Sequence, residues 1–141
     1  MGVVLAIDYG LKRVGLAVSD PERIFAFPCH VIENKNSDYL ISEIKLLILE
    51  KEVDLILIGM PYSMNKKDSN VTKNEMEKNV EGFINKLRKS VEISIKIVDE
   101  RLSSFAAEEK LKEAGVSAKK SKQYIDSEAA RLLLEEFIQS L

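Results

Sequence analysis

The sequence predicts an α/β fold: a mixed five-stranded sheet, with three antiparallel strands followed by two parallel strands and helices on both faces. Two apolar runs, residues 3–7 and 14–18, flank a short turn that contains Gly10, which is typical of a β-hairpin. Beyond this hairpin, amphipathic helical segments alternate with short apolar runs. Strands joined by helices add in parallel through right-handed crossovers, so the later strands extend the opening antiparallel unit.

The composition is that of a globular protein, and we expect residues 1–141 to form a single domain. Of the 141 residues, 45% are hydrophobic and 31% are charged, and a chain of this length can bury a real core. No apolar run approaches the roughly 20 residues of a membrane helix, and no signal pattern follows Met1. The single cysteine, Cys29, excludes an internal disulfide and predicts a cytoplasmic protein. The net charge of −2 argues, only weakly, against indiscriminate nucleic-acid binding.

The other elements follow from hydrophobic periodicity and turn residues. Residues Ile24 to Ile32 predict a third strand, in which Pro28 is typical of an edge or a bend. Two polar segments, Met60–Val71 and Val116–Gln123, are predicted to be loops. The further predicted elements are a helix from about Asp38 to Lys51, a strand from Val53 to Ile58, a helix opening at the capping box Thr72–Glu75, a strand from Ile93 to Val98, a helix from Ser103 or Ser104 to Gly115, and a last helix from about Tyr124 to Ile138.

Acidic residues end two of the strands that are predicted to be parallel. Asp8 closes the first apolar run, and Asp99-Glu100 follow the last strand. Ligand sites in such sheets lie at the carboxyl ends of the strands. A carboxylate at the end of a buried strand is costly unless it is paired, hydrogen-bonded or bound to a metal. The alternative for Asp8 is a turn-forming residue that bonds its own backbone.

A third acid lies on the last helix. Its apolar stripe, extended one turn backwards from Ala129 and Ala130, reaches Asp126. An acid therefore occupies a position where the buried face requires an apolar residue. The alternative interpretation is a helix N-cap, for which Asp is a preferred residue. Glu128 lies off the stripe and is expected to be solvated.

Carboxylates from three separate elements repel one another at one edge of a sheet, and a hard divalent cation resolves this. Mg²⁺ or Mn²⁺ suits oxygen ligands without imidazole or thiolate. A two-ion site can activate water and stabilise the leaving oxygen in phosphodiester cleavage. Nearby cations would hold the phosphate backbone, although each alone is also typical of a solvated surface. These cations are Lys12, Arg13, Arg101, Lys119, Lys120 and Lys122.

Four segments, AIDYGLKRVGLAVSD, GMPYSM, VDERLSS and YIDSEAARLLLEEF, resemble in order the four blocks of the YqgF or RuvX family. This family consists of Holliday-junction-resolvase-like members of the ribonuclease H-like superfamily, provisionally described as pre-16S rRNA nucleases. The resemblance implies a ribonuclease H-like fold and a metal-dependent endonuclease that processes the 5′ end of precursor 16S rRNA. It also implies that the catalytic and metal-binding acids are Asp8, Glu100 and Asp126.

Other functions remain open at this stage. A Holliday-junction or branched-DNA resolvase would use the same acids on DNA. An RNA-binding, transcription-associated module would bind RNA without metal-stimulated cleavage. An ATPase of the actin and sugar-kinase type also places an Asp-x-Gly turn between its first strands, but it needs two domains to clamp a nucleotide. The expected partner is nucleic acid and not a membrane, and the sequence leaves monomer and homodimer open.

Overall fold

The computed structural model describes residues 2–61, 75–99 and 118–141, and for residues 118–127 it describes the backbone alone. Within these ranges the elements follow in chain order as β1 Val3–Asp8, β2 Arg13–Ser19, β3 Ala26–Glu33, α1 Ser37–Lys51, β4 Val53–Met60, α2 Glu75–Ser90, β5 Ser94–Asp99 and α3 Ala118–Gln139. No helix in the described ranges is both long and apolar enough to cross a membrane.

The strands form one five-stranded sheet in the order β3-β2-β1-β4-β5. Strand β2 is antiparallel to both β1 and β3, whereas β4 is parallel to both β1 and β5. The predicted mixed sheet is therefore confirmed. Four strands consequently end at one edge of the sheet, which we call the carboxyl edge; their last residues are Asp8, Glu33, Met60 and Asp99.

Side chains that alternate along β1 pack on two different faces. On one face, Leu5 and Ile7 belong to a large apolar cluster with residues of α1 and α2. On the other face, Val4 and Ala6 pack with Ala130 of α3 in a smaller cluster. All of these β1 side chains are 0% exposed, so the central strand is buried on both sides, as expected for a sheet with helices on both faces. We call the second surface the α3 face.

Strand β3 begins two residues later than the sequence predicts, at Ala26 instead of Ile24. The cause is Asp20, whose Oδ1 accepts hydrogen bonds from the backbone N–H groups of Ile24 at 2.8 Å and Phe25 at 2.7 Å. A side-chain acceptor of this kind holds the backbone in a turn and withdraws both amides from the ladder.

The last helix begins at Ala118 and not near Tyr124, so the predicted loop Val116–Gln123 is wrong over most of its length. Alanine, lysine and glutamine all have high helix propensity, and the early turns contain little else. Four predicted features lie outside the described residues: most of the Met60–Val71 loop, Thr72–Asn74 of the capping box, the helix from Ser103 or Ser104 to Gly115, and the first residues of the Val116–Gln123 segment.

Candidate active site at the carboxyl edge of the sheet

Asp8 is the last residue of the central strand β1 and lies at the carboxyl edge. Side chains alternate along a strand, and Val4 and Ala6 pack on the α3 face. Asp8 continues this series, so its carboxylate is directed to the same face. It is half-buried, and it is engaged in an interaction within the fold. The structure thus places a carboxylate where the parallel part of the sheet meets its antiparallel part.

The two strands beside Asp8 present glycine next to it. On β2, Gly15 is the direct partner of Asp8 in the antiparallel ladder. On β4, the parallel register pairs Ile7 with Ile58, and continuing it by one residue places Gly59 beside Asp8. Because directly opposed side chains share a face, the Asp8 carboxylate has no side chain on either flank within the sheet.

Arg13 is the nearest cation to this position in the ladder. It precedes Gly15 by two residues on β2, so it shares a face with Gly15 and is diagonal to Asp8, at roughly 7–8 Å between Cα atoms. Arg13 is half-buried and has an interaction of its own within the fold. Lys12, in the turn just before it, is exposed. The structure therefore brings these two predicted cations to the same edge as Asp8.

Side-chain alternation along β5 directs Asp99, the last residue of this strand, away from Asp8. Asp99 pairs with Met60, and Met60 belongs to the cluster on the α1–α2 side of the sheet. Val98 packs on the α3 face with Ala6. Asp99 therefore faces away from Asp8. Glu100 lies outside the described residues, as does Arg101, so their predicted roles stay predictions.

Asp126 lies in the interior of α3, eight residues after the helix begins at Ala118. An N-cap is the residue that flanks the first helical turn, so the alternative interpretation of Asp126 as an N-cap is wrong. Asp126 precedes the fully buried Ala130 by one turn. Lys119, Lys120 and Lys122 lie in the first turns of the same helix, and for these residues the backbone alone is described.

Glu128 is not simply solvated, contrary to the sequence-based prediction. Its side chain is 22% exposed and forms an ion pair with Arg131, and the Arg131 guanidinium also binds Glu135 at 2.5 Å. The hydrogen bond to Glu128 is the main reason that the pKa of Arg131 is raised. This pairing compensates the charge of Glu128.

Two residues that hold the turn after Asp8 were not predicted from the sequence. The Tyr9 ring stacks on the Phe83 ring of α2, with centroids 4.9 Å apart. Asn34, which follows β3, donates from its side-chain Nδ2 to the Gly10 carbonyl oxygen at 2.9 Å, and from its backbone N–H to the Lys12 carbonyl oxygen at 2.8 Å. Neither contact has a local signal, because each joins residues that are distant in sequence.

The donor chemistry at the carboxyl edge fits a hard divalent cation. Asp8, on the α3 face, offers carboxylate oxygens as ligands, and oxygen ligands suit Mg²⁺ and Mn²⁺. Cys29 and His30 lie within β3, away from its carboxyl end. Within the described ranges no three His, Cys, Asp or Glu side chains form a metal-binding group. A complete site would therefore need Glu100 and Asp126 in addition to Asp8.

The chain is similar over its length to proteins of one family. Residues 2–140 match the family model described as RuvX, Holliday junction resolvase. A relative from Maridesulfovibrio salexigens, provisionally named pre-16S rRNA nuclease, is 45% identical over 135 residues, which is 96% of each chain. A relative of the same name from Dictyoglomus turgidum is 36% identical over 138 residues, covering 98% of this chain and 94% of the relative.

Solved structures show the same fold at low sequence identity. RuvC of T. thermophilus, in complex with a Holliday junction substrate, has a TM-score of 0.61 at 14% identity, covering 99% of this chain and 95% of RuvC. The yeast mitochondrial Holliday junction resolvase Ydc2 has a TM-score of 0.57 at 10% identity, covering 96% of this chain and 77% of Ydc2. The fold is ribonuclease H-like. Together with the match over residues 2–140, these findings establish that the chain belongs to the RuvX family.

Proposed function

We propose that the chain is a hydrolytic nuclease, and specifically a metal-dependent endonuclease that processes the 5′ end of precursor 16S rRNA during ribosome biogenesis in the cytoplasm. Residues 1–141 form its single domain in this proposal. Nuclease action is supported by membership of the RuvX family and by the names of the relatives. The observation that carries the proposal is the Asp8 carboxylate, held at the carboxyl edge on the α3 face of the sheet.

In this function Asp8, Glu100 and Asp126 hold Mg²⁺ or Mn²⁺. Two such ions would supply an activated water and stabilise the leaving oxygen of a phosphodiester. The fold supports the ligand set at two points: Asp126 lies one turn before the buried Ala130 on the helix that covers the Asp8 face, and Asp99 is directed to the opposite face, which leaves Glu100 as the acid to join Asp8.

The cations hold the phosphate backbone beside these acids. Lys12 and Arg13 lie at the carboxyl edge, and Lys119, Lys120 and Lys122 lie on the helix that carries Asp126. Arg101 follows Glu100 directly and completes the set. Glycine at the two positions that flank Asp8 leaves room for a phosphate group to approach the carboxylate. Phosphate contacts of this kind give affinity without sequence preference.

A cleavage assay on matched RNA and DNA substrates, with Mg²⁺, Mn²⁺ or chelator, tests the proposal. The wild type should cleave RNA when a metal ion is present. Asp8→Asn should abolish cleavage and leave RNA binding intact. Asp99→Asn is the matched control, because it removes an acid at the same edge but on the opposite face, and it should retain cleavage. Retained cleavage by Asp8→Asn, or its loss in Asp99→Asn alone, would contradict the assignment.

The second candidate is a Holliday-junction or branched-DNA resolvase, favoured by the family description and by the fold shared with RuvC. The same assay separates the two functions: preferential cleavage of branched DNA selects the resolvase. RNA binding without metal-stimulated cleavage of either substrate selects the transcription-associated binding module.

A further inference from the structure

Asn34 lies in the segment between β3 and α1, at the carboxyl edge, and bonds twice to the turn that follows Asp8. Its side-chain Nδ2 donates to the Gly10 carbonyl oxygen at 2.9 Å, in a partly buried position. Its backbone N–H donates to the Lys12 carbonyl oxygen at 2.8 Å. The two acceptors bracket Leu11, so one residue, 24 positions further along the chain than Gly10, fixes both ends of the turn.

The backbone of the turn is closely packed at Gly10. A Cβ added at Gly10 would lie 2.2 Å from the Arg13 carbonyl oxygen, so the backbone folds closely back on itself there. Asp8 is two residues before Gly10, and Lys12 and Arg13 lie two and three residues after it. A shift of the turn therefore moves the carboxylate and the two predicted phosphate-binding cations together.

We propose that Asn34 is a positioning residue of the active site: through Gly10 and Lys12 it holds the turn that orients the Asp8 carboxylate for metal binding. This inference rests on the proposed function. Without the side-chain donor, the Gly10 carbonyl oxygen loses a hydrogen bond in a partly buried place. The turn then samples more conformations, and metal binding must also reorder it, which lowers the apparent affinity for the ion. A hydrogen bond of ordinary strength corresponds to about a fivefold change in the metal concentration required.

The same segment supplies a matched control. The Oδ1 of Asn36 accepts from the Tyr39 N–H at 2.8 Å and caps α1. Asn36→Ala and Asn34→Ala thus each remove one side-chain hydrogen bond from the same loop and should lower the melting temperature similarly. Asn34→Ala alone removes a bond to the turn after Asp8. Asn34→Leu is a second variant, which keeps the side-chain volume but has no donor.

The experiment measures hydrogen exchange in the turn and the Mn²⁺ requirement of both the melting shift and cleavage. In Asn34→Ala and Asn34→Leu, amides of residues 9–13 should exchange faster, and the Mn²⁺ concentration for half-maximal effect should rise about fivefold. Saturating Mn²⁺ should restore the cleavage rate. Asn36→Ala should keep wild-type values for the exchange and the Mn²⁺ requirement.

Three outcomes would overturn the proposal. Unchanged exchange in the turn means that Asn34 does not hold it. If exchange in the turn is faster in the Asn34 variants but their Mn²⁺ requirement equals that of Asn36→Ala, Asn34 is a structural residue only. A wild-type protein with neither a Mn²⁺ response nor cleavage overturns the proposed function and the positioning role together, and that failure is recognised in the wild type before any variant is made.

Discussion

Tyr9 stacks on Phe83, with ring centroids 4.9 Å apart and planes inclined at 29°. This contact joins the residue next to Asp8 to a side chain of α2 that is only 2% exposed. The end of the central strand is thereby anchored to α2, on the opposite face of the sheet from α3. The position of Asp8 therefore depends on packing against α2 as well as on the pairing of β1 with β2 and β4.

The stack predicts a difference between two substitutions at Tyr9. Tyr9→Phe keeps the ring and should leave the free energy of unfolding nearly unchanged. Tyr9→Leu removes the ring pair and should cost about 1 kcal/mol, since such pairs contribute roughly 0.5–1.5 kcal/mol beyond burial. Chemical denaturation of both proteins measures the difference. Equal stabilities would show that the ring contact contributes nothing.

Replacement of Gly82 and of Gly10 by alanine should have opposite effects on the stability of the protein. A Cβ at Gly82 on α2 would meet no atom within 4 Å, so Gly82→Ala should stabilise the protein by about 0.5–1 kcal/mol because alanine is the better helix former. A Cβ at Gly10 would meet the Arg13 carbonyl oxygen at 2.2 Å, and backbone atoms cannot move aside cheaply. Gly10→Ala should therefore lower the melting temperature and impair cleavage. A melting temperature for Gly10→Ala at or above that of the wild type would contradict this.

Asp20 predicts a pH dependence of stability. The hydrogen bond from the Phe25 amide is the main reason that the pKa of Asp20 is lowered from its ordinary value of 3.8. Because the folded pKa lies below the unfolded one, the stabilisation is present above about pH 4 and is lost as the pH falls through the folded value. Asp20→Asn keeps an acceptor but removes the charge. The wild type should melt higher than this variant at neutral pH, and the difference should shrink towards zero in acid.

Removing the three lysines at the start of α3 should weaken RNA binding in a salt-dependent way. We expect replacement of Lys119, Lys120 and Lys122 by alanine to reduce the slope of log K against log salt by up to about one unit per lost phosphate contact. The charge-matched control replaces Lys45, Lys86 and Lys89, exposed residues of α1 and α2. An unchanged slope in the α3 variant, or an equal change in the control, would place the RNA elsewhere.

Metal-linked melting tests Asp126. Mn²⁺ should raise the melting temperature of the wild type, because an ion that binds only the folded state stabilises it by mass action. Asp126→Ala should lose most of this shift, and without metal it should be as stable as the wild type or more so, since like charges close together repel. Glu136→Ala removes an exposed acid from the same helix and should keep the shift. A full Mn²⁺ response in Asp126→Ala would remove this residue from the site.

The sequence by itself determined the mixed five-stranded sheet, with three antiparallel strands followed by two parallel ones, and the position of the acid Asp8 at the end of the first strand. Both follow from local patterns: the hairpin signal around Gly10, the alternation of apolar runs with helical periodicity, and an acid where a buried strand ends. Crossover handedness then leaves few ways to join the pieces. The observed directions agree with the prediction: β2 is antiparallel to β1 and β3, and β4 is parallel to β1 and β5.

Only the tertiary structure decided which groups meet. Register places Asp99 opposite Met60, on the face away from Asp8, and a shift of one residue would reverse this, because side chains alternate along a strand. The bond from Asn34 to Gly10 spans 24 residues, and the long α3 removes the cap interpretation of Asp126. Contacts between distant residues depend on how whole elements pack, and local sequence patterns carry no record of that packing.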